Sequence, residues 1–502
     1  MRTSLFRRIA PAALALLLLA GCGTTQVVNP VTGRSERTVM DEAAEVAEGR
    51  KAHQAVLAQY GALDNPKLQA YVNEVGQKLA RQSHRAQLSW TFTVLDSPEI
   101  NAFALPGGFV YVTRGIIAYL DSEADLAGVL GHEIGHVTAR HGAQRVTSQR
   151  NASAGVLAAT VLGVLVEGVT GIGGAAQAAS QIGQTVAAGQ LASYSREQET
   201  QADELGAEYL ARARYNPRNM VDVILVLKNQ ERFVADRAKA EGKVAPQAAS
   251  WLASHPSNDK RLVDMRQVAT RYSGSYDDDG KARYFKAIEG LPFGDSEAQG
   301  LVRGRQFLHP VLGIALTAPP GWDVQNATDA VTLLNGARDA GLVVRLVPAK
   351  SGNTHEEIIR NEIRPTDGRT EPRVLNGLPA THFVGTQRNP QGHVQNVRVS
   401  VVSGPGNRHF LLRYTGRDAA ALQRAAATLQ EAESSFRAMT AADRQAAQPW
   451  ALGTARFPQG GFAELARSSP LLAQAEAYLR LLNGAYGGGA EPPLGAPVKI
   501  VQ

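Results

Sequence analysis

One cysteine, Cys22, stands in a chain of 502 residues. No intrachain disulfide can form and no thiolate cluster can hold a metal, so a metal site here has to use histidine and carboxylate. Excess charge of one sign is also scarce. Lys and Arg number 52 against 46 Asp and Glu, a formal net charge of +6. Three of those positive charges, Arg2, Arg7 and Arg8, fall in a leader-like segment, which leaves about +3 for the rest. With no basic stripe interleaved with aromatics, nucleic acid is not an expected partner. Apolar runs are short as well. Residues 9–20, interrupted by Pro11, and the thirteen residues 154–166 are both too short to span a bilayer. A composition 44% hydrophobic and 20% charged excludes wholesale disorder and a multi-span membrane protein. The length calls for more than one core.

What is present begins with Arg2, Arg7 and Arg8, then the apolar run, then Leu19, Ala20, Gly21 and Cys22. This has the form of a secretory leader, residues 1–21, and resembles a bacterial lipobox whose cysteine is lipidated and becomes the first mature residue. Gly23 after it points to the outer membrane. The expected place is the periplasmic face of that membrane, with a lipid anchor on Cys22. Residues 22–40 read as a flexible tether.

The apolar spacing then predicts helices from residue 41 to 80, broken at Asn65 and Pro66, and a strand over residues 90–95. Two short strands are expected around a Pro106, Gly107, Gly108 turn, and a long helix from Ser122, capped with Asp125 three residues on. Residues 154–190 are rich in Gly, Ala and Gln and are a candidate lid. Helices resume over residues 195–214, 217–233 and 259–272. Strand-like runs from about residue 300 to 440 predict a separate α+β domain of unassigned role. Its His309, His355, His382, His393 and His409 share no ligand spacing. Residues 455–502 read as strand, two helices and strand, weakly resembling a LysM module, with peptidoglycan as its possible partner.

The chemistry concentrates at His132, Glu133, Ile134, Gly135 and His136. Positions i and i+4 of a helix project together, so both imidazoles can reach one tetrahedral zinc ion. Glu133 is then beside it, placed as general base. Gly128, Gly131, Gly135 and Gly142 fall on one stripe beside the histidines. Glycines inside a helix cost about 1 kcal/mol each relative to alanine, which suggests another backbone close by. Glu199 and Asp203 are one turn apart, with Gly206 on the same face. That second helix could press against the first, bring Glu199 to the metal and let Asp203 fix the tautomer of a ligand histidine. His141, five residues past His136, points about 140° away on a continued helix, and is expected to be structural or exposed.

These motifs, with residues 195–203 and then His255, Pro256 and Arg261, resemble the HtpX and CAAX-prenyl-protease family of zinc metallopeptidases, in its soluble envelope lipoprotein branch. The resemblance covers about residues 29–272. It implies a mainly helical gluzincin domain with a small edge sheet over residues 41–275, one Zn2+ per chain held by His132, His136 and Glu199, and Glu133 as general base. Asp125 stands where relatives often carry Glu. The resemblance also places His255 at the zinc cleft, either donating to the developing oxyanion or taking the open zinc position and holding the enzyme latent. Phe109, Val110, Tyr111 and Val112 are expected to be an edge strand that pairs with extended substrate. The function implied is an endopeptidase for misfolded or stalled envelope proteins. Rival classes are an envelope chaperone or assembly factor with little cleavage and a peptidoglycan-anchored scaffold.

Overall fold

The computed structural model describes residues 25–152, 194–240, 251, 255, 259–276, 278–327, 329–389, 392–471 and 474–502. Cys22, the apolar run before it and residues 154–190 therefore lie outside the described residues.

The first described element contradicts a tether. Strands β1 (Thr25–Val28) and β2 (Ser35–Thr38) pair antiparallel, Thr25 opposite Thr38 and Val28 opposite Ser35. Asn29 closes the turn between them: its Oδ1 accepts from the backbone N–H of Val31 and Thr32 at 2.9 and 3.2 Å. Its reverse side is buried, so the hairpin is fixed onto the body of the protein.

Helix α1 (Glu42–Tyr60) follows, capped by Asp41, and then α2 (Pro66–Ala80), which begins at the expected break with Asn65 as cap. Strand β3 (Thr91–Leu95), strand β4 (Ala102–Leu105) and strand β5 (Phe109–Thr113) form a three-stranded sheet in the order β3-β5-β4. β5 runs parallel to β3 and antiparallel to β4. Phe109, Val110, Tyr111 and Val112 are thus the middle strand, not the edge. Both sides of β5 are already hydrogen-bonded, and backbone pairing with another chain is closed to it. The outer strand beside it is β4.

Next come α3 (Arg114–Tyr119) and α4 (Glu123–Thr138), the latter buried along its whole length. Ser122 caps α4 by accepting from Asp125 N–H at 3.1 Å. The Asp125 carboxylate bonds outward, to Asp121 N–H and to the Asn219 amide at 3.0 and 2.7 Å. α4 stops at Thr138, because Arg140 takes a left-handed conformation (φ 57°). The chain restarts in α5 (His141–Ala152). Beyond the undescribed stretch lie α6 (Arg196–Arg212), started by a Ser195–Gln198 capping box, α7 (Asn219–Ala240), α8 (Asp259–Thr270) and α9 (Lys281–Ile288).

The middle region holds a seven-stranded antiparallel sheet, with strands Val331–Leu334, Ala340–Leu346, Arg408–Gly416, Val394–Gly404, Leu378–Arg388 and Pro365–Leu375 following Asp323–Asn326 in spatial order. It has a core of its own, including Leu342, Leu412 and Phe436. The chain then returns to the first core. Strand Trp450–Arg456, helices Gly461–Ala466 and Ala475–Leu482, and strand Pro497–Val501 occur in that order, and the two strands pair antiparallel. Leu452, Phe462, Leu479, Val498 and Val501 pack in one cluster with Leu126, Leu130 and Ile134 of α4. Tyr284, Phe285 and Phe293 join it. A boundary at residue 275 falls inside this core. No helix among the described residues is long and apolar enough to cross a membrane.

The closing strand also supplies a buried cation. Lys499, 1% exposed, donates to Leu120 O at 2.7 Å and Ala118 O at 3.2 Å, and lies 3.2 Å from Asp121 Oδ1. It therefore satisfies carbonyls of Ala118 and of Leu120, the residue that caps the end of α3 two positions before the cap of α4. Lys499→Met keeps the aliphatic stem but removes this donor from both carbonyls and leaves Asp121 with Lys281 as its remaining cation. We expect a loss of about 3 kcal/mol, read from urea unfolding of the full chain. A change below about 0.5 kcal/mol would show that the last strand does not support α4.

Candidate metal centre

Two helices whose backbones nearly touch build the site. A Cβ added at Gly135 would stand 2.7 Å from Ala202 O and 3.0 Å from Ala202 Cα. One added at Gly206 would meet His132 N at 3.1 Å, and one at Gly131 would meet Leu210 Cδ1 at 2.6 Å. The glycine stripe is therefore the contact line of α4 and α6. Gly128 is different, since its nearest neighbour, Met220, stands at an ordinary 3.5 Å. Gly142 lies beyond the break at Arg140 and faces Pro106 instead.

This close approach brings His132, His136 and Glu199 together, all buried. His255 joins them. One donor atom from each of the four lies within 4.8 Å of every other, the one such group among the described residues. His136 Nε2 is 3.0 Å from His132 Nε2 and 3.4 Å from Glu199 Oε1. His255 Nδ1 is 3.1 Å from His132 Nε2 and 3.0 Å from Glu199 Oε1. His132 Nε2 stands 3.6 Å from Glu199 Oε2. A tetrahedral zinc with bonds near 2.0–2.1 Å separates its ligand atoms by about 3.3 Å, the middle of this range.

Hydrogen placement agrees with that fit. Asp203 Oδ1 lies 2.9 Å from His132 Nδ1. The carboxylate can only accept, so His132 carries its hydrogen there and turns a bare Nε2 inward. Burial drives the His136 imidazole well below its usual value, which keeps it neutral. Burial works to raise the Glu199 carboxyl, but His255, His136 and the Arg261 guanidinium outweigh it and hold it well below the usual carboxylate range. Asp203 is likewise held down against its burial, by Arg261 and His132. Arg261 forks onto Asp203 at 2.7 and 2.8 Å and reaches Glu199 Oε2 at 2.6 Å. Two imidazoles that turn Nε2 inward beside a carboxylate held below its usual range make a donor set suited to zinc.

Glu133 is fully buried beside the set. Its Oε1 accepts from the Trp251 indole N–H at 2.8 Å and lies 3.5 Å from His255 Nε2, while Oε2 has no hydrogen-bond partner among the described residues. Trp251 stacks on His255 with ring centroids 4.7 Å apart. Nothing in the sequence pattern singled out Trp251. His141 is neither exposed nor remote: it is fully buried, with Nδ1 2.8 Å from His136 Nδ1 and Nε2 3.0 Å from Gln201 Oε1. Burial pushes it down to about 4. The break at Arg140 turns it back toward the ligand, which a continuous helix could not do. Phe109 to Val112 of β5 contribute no atom to the four-residue group.

Residues 66–269 match Peptidase family M48. The match takes in about two fifths of the chain. The M48 stretch takes in His132, Glu133, His136, Glu199, Asp203 and His255. The chain is similar to the beta-barrel assembly-enhancing protease of Yersinia pestis, 30% identical over 213 residues, 41% of this chain and 40% of that protein. It is similar to the protein of the same name in Escherichia coli (strain K12), 28% identical over 216 residues, 42% of this chain and 40% of that protein. It also resembles the mitochondrial metalloendopeptidase OMA1 of Schizosaccharomyces pombe, 27% identical over 259 residues, 50% of this chain and 69% of that protein. The chain thus spans about two fifths of the length of the two assembly-enhancing proteases. Among solved structures it is similar to cyanobacterial PsbP from Synechocystis sp. PCC 6803, at 14% identity and a TM-score of 0.21, over 28% of this chain and 98% of that one.

If helix contact sets the metal geometry, the two glycines should respond differently. Gly135→Ala must push α6 away and carry Glu199 off His132 and His136. Zinc affinity, measured by chelator competition, should fall about tenfold or more. Gly128→Ala has room and should bind zinc as the parent does. Equal affinities in both variants would contradict the contact-line account.

Proposed function

We propose that the chain is a zinc-dependent endopeptidase, holding one Zn2+ through His132, His136 and Glu199, that cleaves misfolded or stalled cell-envelope proteins. The observation that carries this reading is the buried convergence of those three donors beside the Glu133 carboxylate. A bound zinc ion supplies Lewis acidity, polarising a scissile carbonyl and acidifying water. Glu133 takes the proton of the attacking water and returns it to the leaving amine. Asp203 holds His132 in the tautomer that faces the metal, and Arg261 keeps Asp203 and Glu199 ionised.

Substrate alignment belongs to β4, the outer strand, whose Ala104 and Leu105 line the same small cleft as His136 and Tyr194. Main-chain pairing there reads little sequence, which suits unfolded segments. The envelope address rests on the leader-like N-terminus and on lipidation of Cys22 at the periplasmic face of the outer membrane.

His255 sets the resting state. With its Nδ1 among the other donors, His255 would give a bound zinc a fourth protein ligand, and a zinc site closed in that way would not be a catalytic one. We infer that His255 is the latent-state ligand and, once withdrawn, the donor to the oxyanion.

Two variants separate the roles. Glu133→Gln should retain zinc and fold yet lose casein cleavage by about 10²–10⁴-fold; full cleavage would sink the mechanism. His255→Ala should bind zinc more weakly and raise basal cleavage. If neither property moves, His255 is not the latent ligand.

A further inference from the structure

The hydrogens along a path from Asn29 to a metal ligand can be assigned one at a time. Asn29 is 2% exposed. Its Oδ1 faces the N–H groups of Val31 and Thr32, which can only donate, so its amide cannot be turned round. Nδ2 therefore faces inward, donating to Glu36 Oε1 at 3.0 Å and to Gln201 Oε1 at 2.9 Å. Gln201 must present its oxygen to that donor. The same oxygen lies 3.0 Å from His141 Nε2, so Nε2 carries the hydrogen of His141. A neutral His141 then has its lone pair at Nδ1, 2.8 Å from His136 Nδ1. His136 accordingly carries its hydrogen on Nδ1, and its bare Nε2 faces His132 and Glu199.

We propose that Asn29 is a positioning residue of the metal centre, setting the tautomer of His136 through Gln201 and His141. The N-terminal hairpin is thereby a working part of the site. His132 has its tautomer fixed locally by an anion, Asp203. On its Nδ1 side His136 meets only neutral groups, His141 and then Gln201, each able to reverse, so the direction of that chain is decided at the far end by two backbone N–H groups. The hairpin is anchored for this task. Val39 N–H donates to Thr147 Oγ1 at 3.1 Å, Gln144 donates to Glu36 Oε2, and Gln198 donates to Gln144 Oε1 at 2.9 Å. The proposal rests on reading His136 as a zinc ligand.

Asn29→Asp is nearly the same shape and keeps the turn acceptor, but it replaces the inward donor with an acceptor. Gln201 then lowers its repulsion by turning its NH2 inward, which reverses His141 and puts the hydrogen of His136 on Nε2. Zinc affinity of the full chain, by chelator competition, is expected to fall about 10–100-fold. Gln201→Glu keeps an acceptor at both contacts and is expected to stay within about threefold of the parent, where loss of a merely structural amide would weaken both variants alike. Nitrogen-15 NMR of the metal-free parent supplies a test that needs no variant: His136 should show Nδ1–H. Finding Nε2–H there, or unchanged zinc affinity in Asn29→Asp, overturns the proposal. A parent that binds no zinc would overturn the functional reading instead, and the NMR result would still decide the tautomer.

Discussion

With the ring hydrogens on Nδ1, as proposed above, the Nε2 atoms of His132 and His136 face each other 3.0 Å apart as two buried acceptors, and neither can satisfy the other. Two lone pairs held so close repel unless a cation lies between them. The surrounding structure serves to maintain that arrangement. α4 and α6 must touch along Gly131, Gly135 and Gly206 for Glu199 to complete the set. Asp203 and Arg261 orient one imidazole, and His141 and Gln201 orient the other. Because every partner is buried, an error in one hydrogen's position cannot be corrected by solvent.

Support for the site comes from far along the chain. The hairpin at residues 25–38 reaches it through Asn29, and the last strand braces the start of α4 through Lys499. The two ends of the described chain thus converge on one helix. Trp251 and His255, like His141 and Arg261, reach the centre from outside α4 and α6. Trp251 hydrogen-bonds Glu133 while its backbone N–H is tied to Ile100 O at 2.9 Å, just before strand β4. Glu133 and the start of strand β4 are therefore joined through one residue.

Much of the centre was legible in the sequence because helical spacing is a short-range rule. His132 and His136 one turn apart, Glu199 and Asp203 one turn apart, and the glycines between them follow from 3.6 residues per turn. What failed needed long-range information. Phe109 to Val112 read as a strand, but its place between β3 and β4 depends on a parallel pairing that no local pattern announces. His141 was misplaced because the helical wheel was carried past Arg140, whose left-handed backbone no side-chain preference reveals. Residues 25–38 carry few apolar groups and so looked like a tether, although their anchoring is polar and passes through one buried asparagine. The core shared with residues 281–293 and 450–501 was hidden by the intervening sheet domain, which separates its parts by more than a hundred residues in sequence.

The central claim, that a metal ion resolves the repulsion among these donors, is tested most directly by X-ray absorption at the zinc edge on the purified full chain. The account predicts a four-coordinate shell of nitrogen and oxygen near 2.0–2.1 Å, with three imidazoles in the resting state and no sulfur. A shell containing fewer than two imidazoles, or a protein that holds no zinc after dialysis, would contradict it.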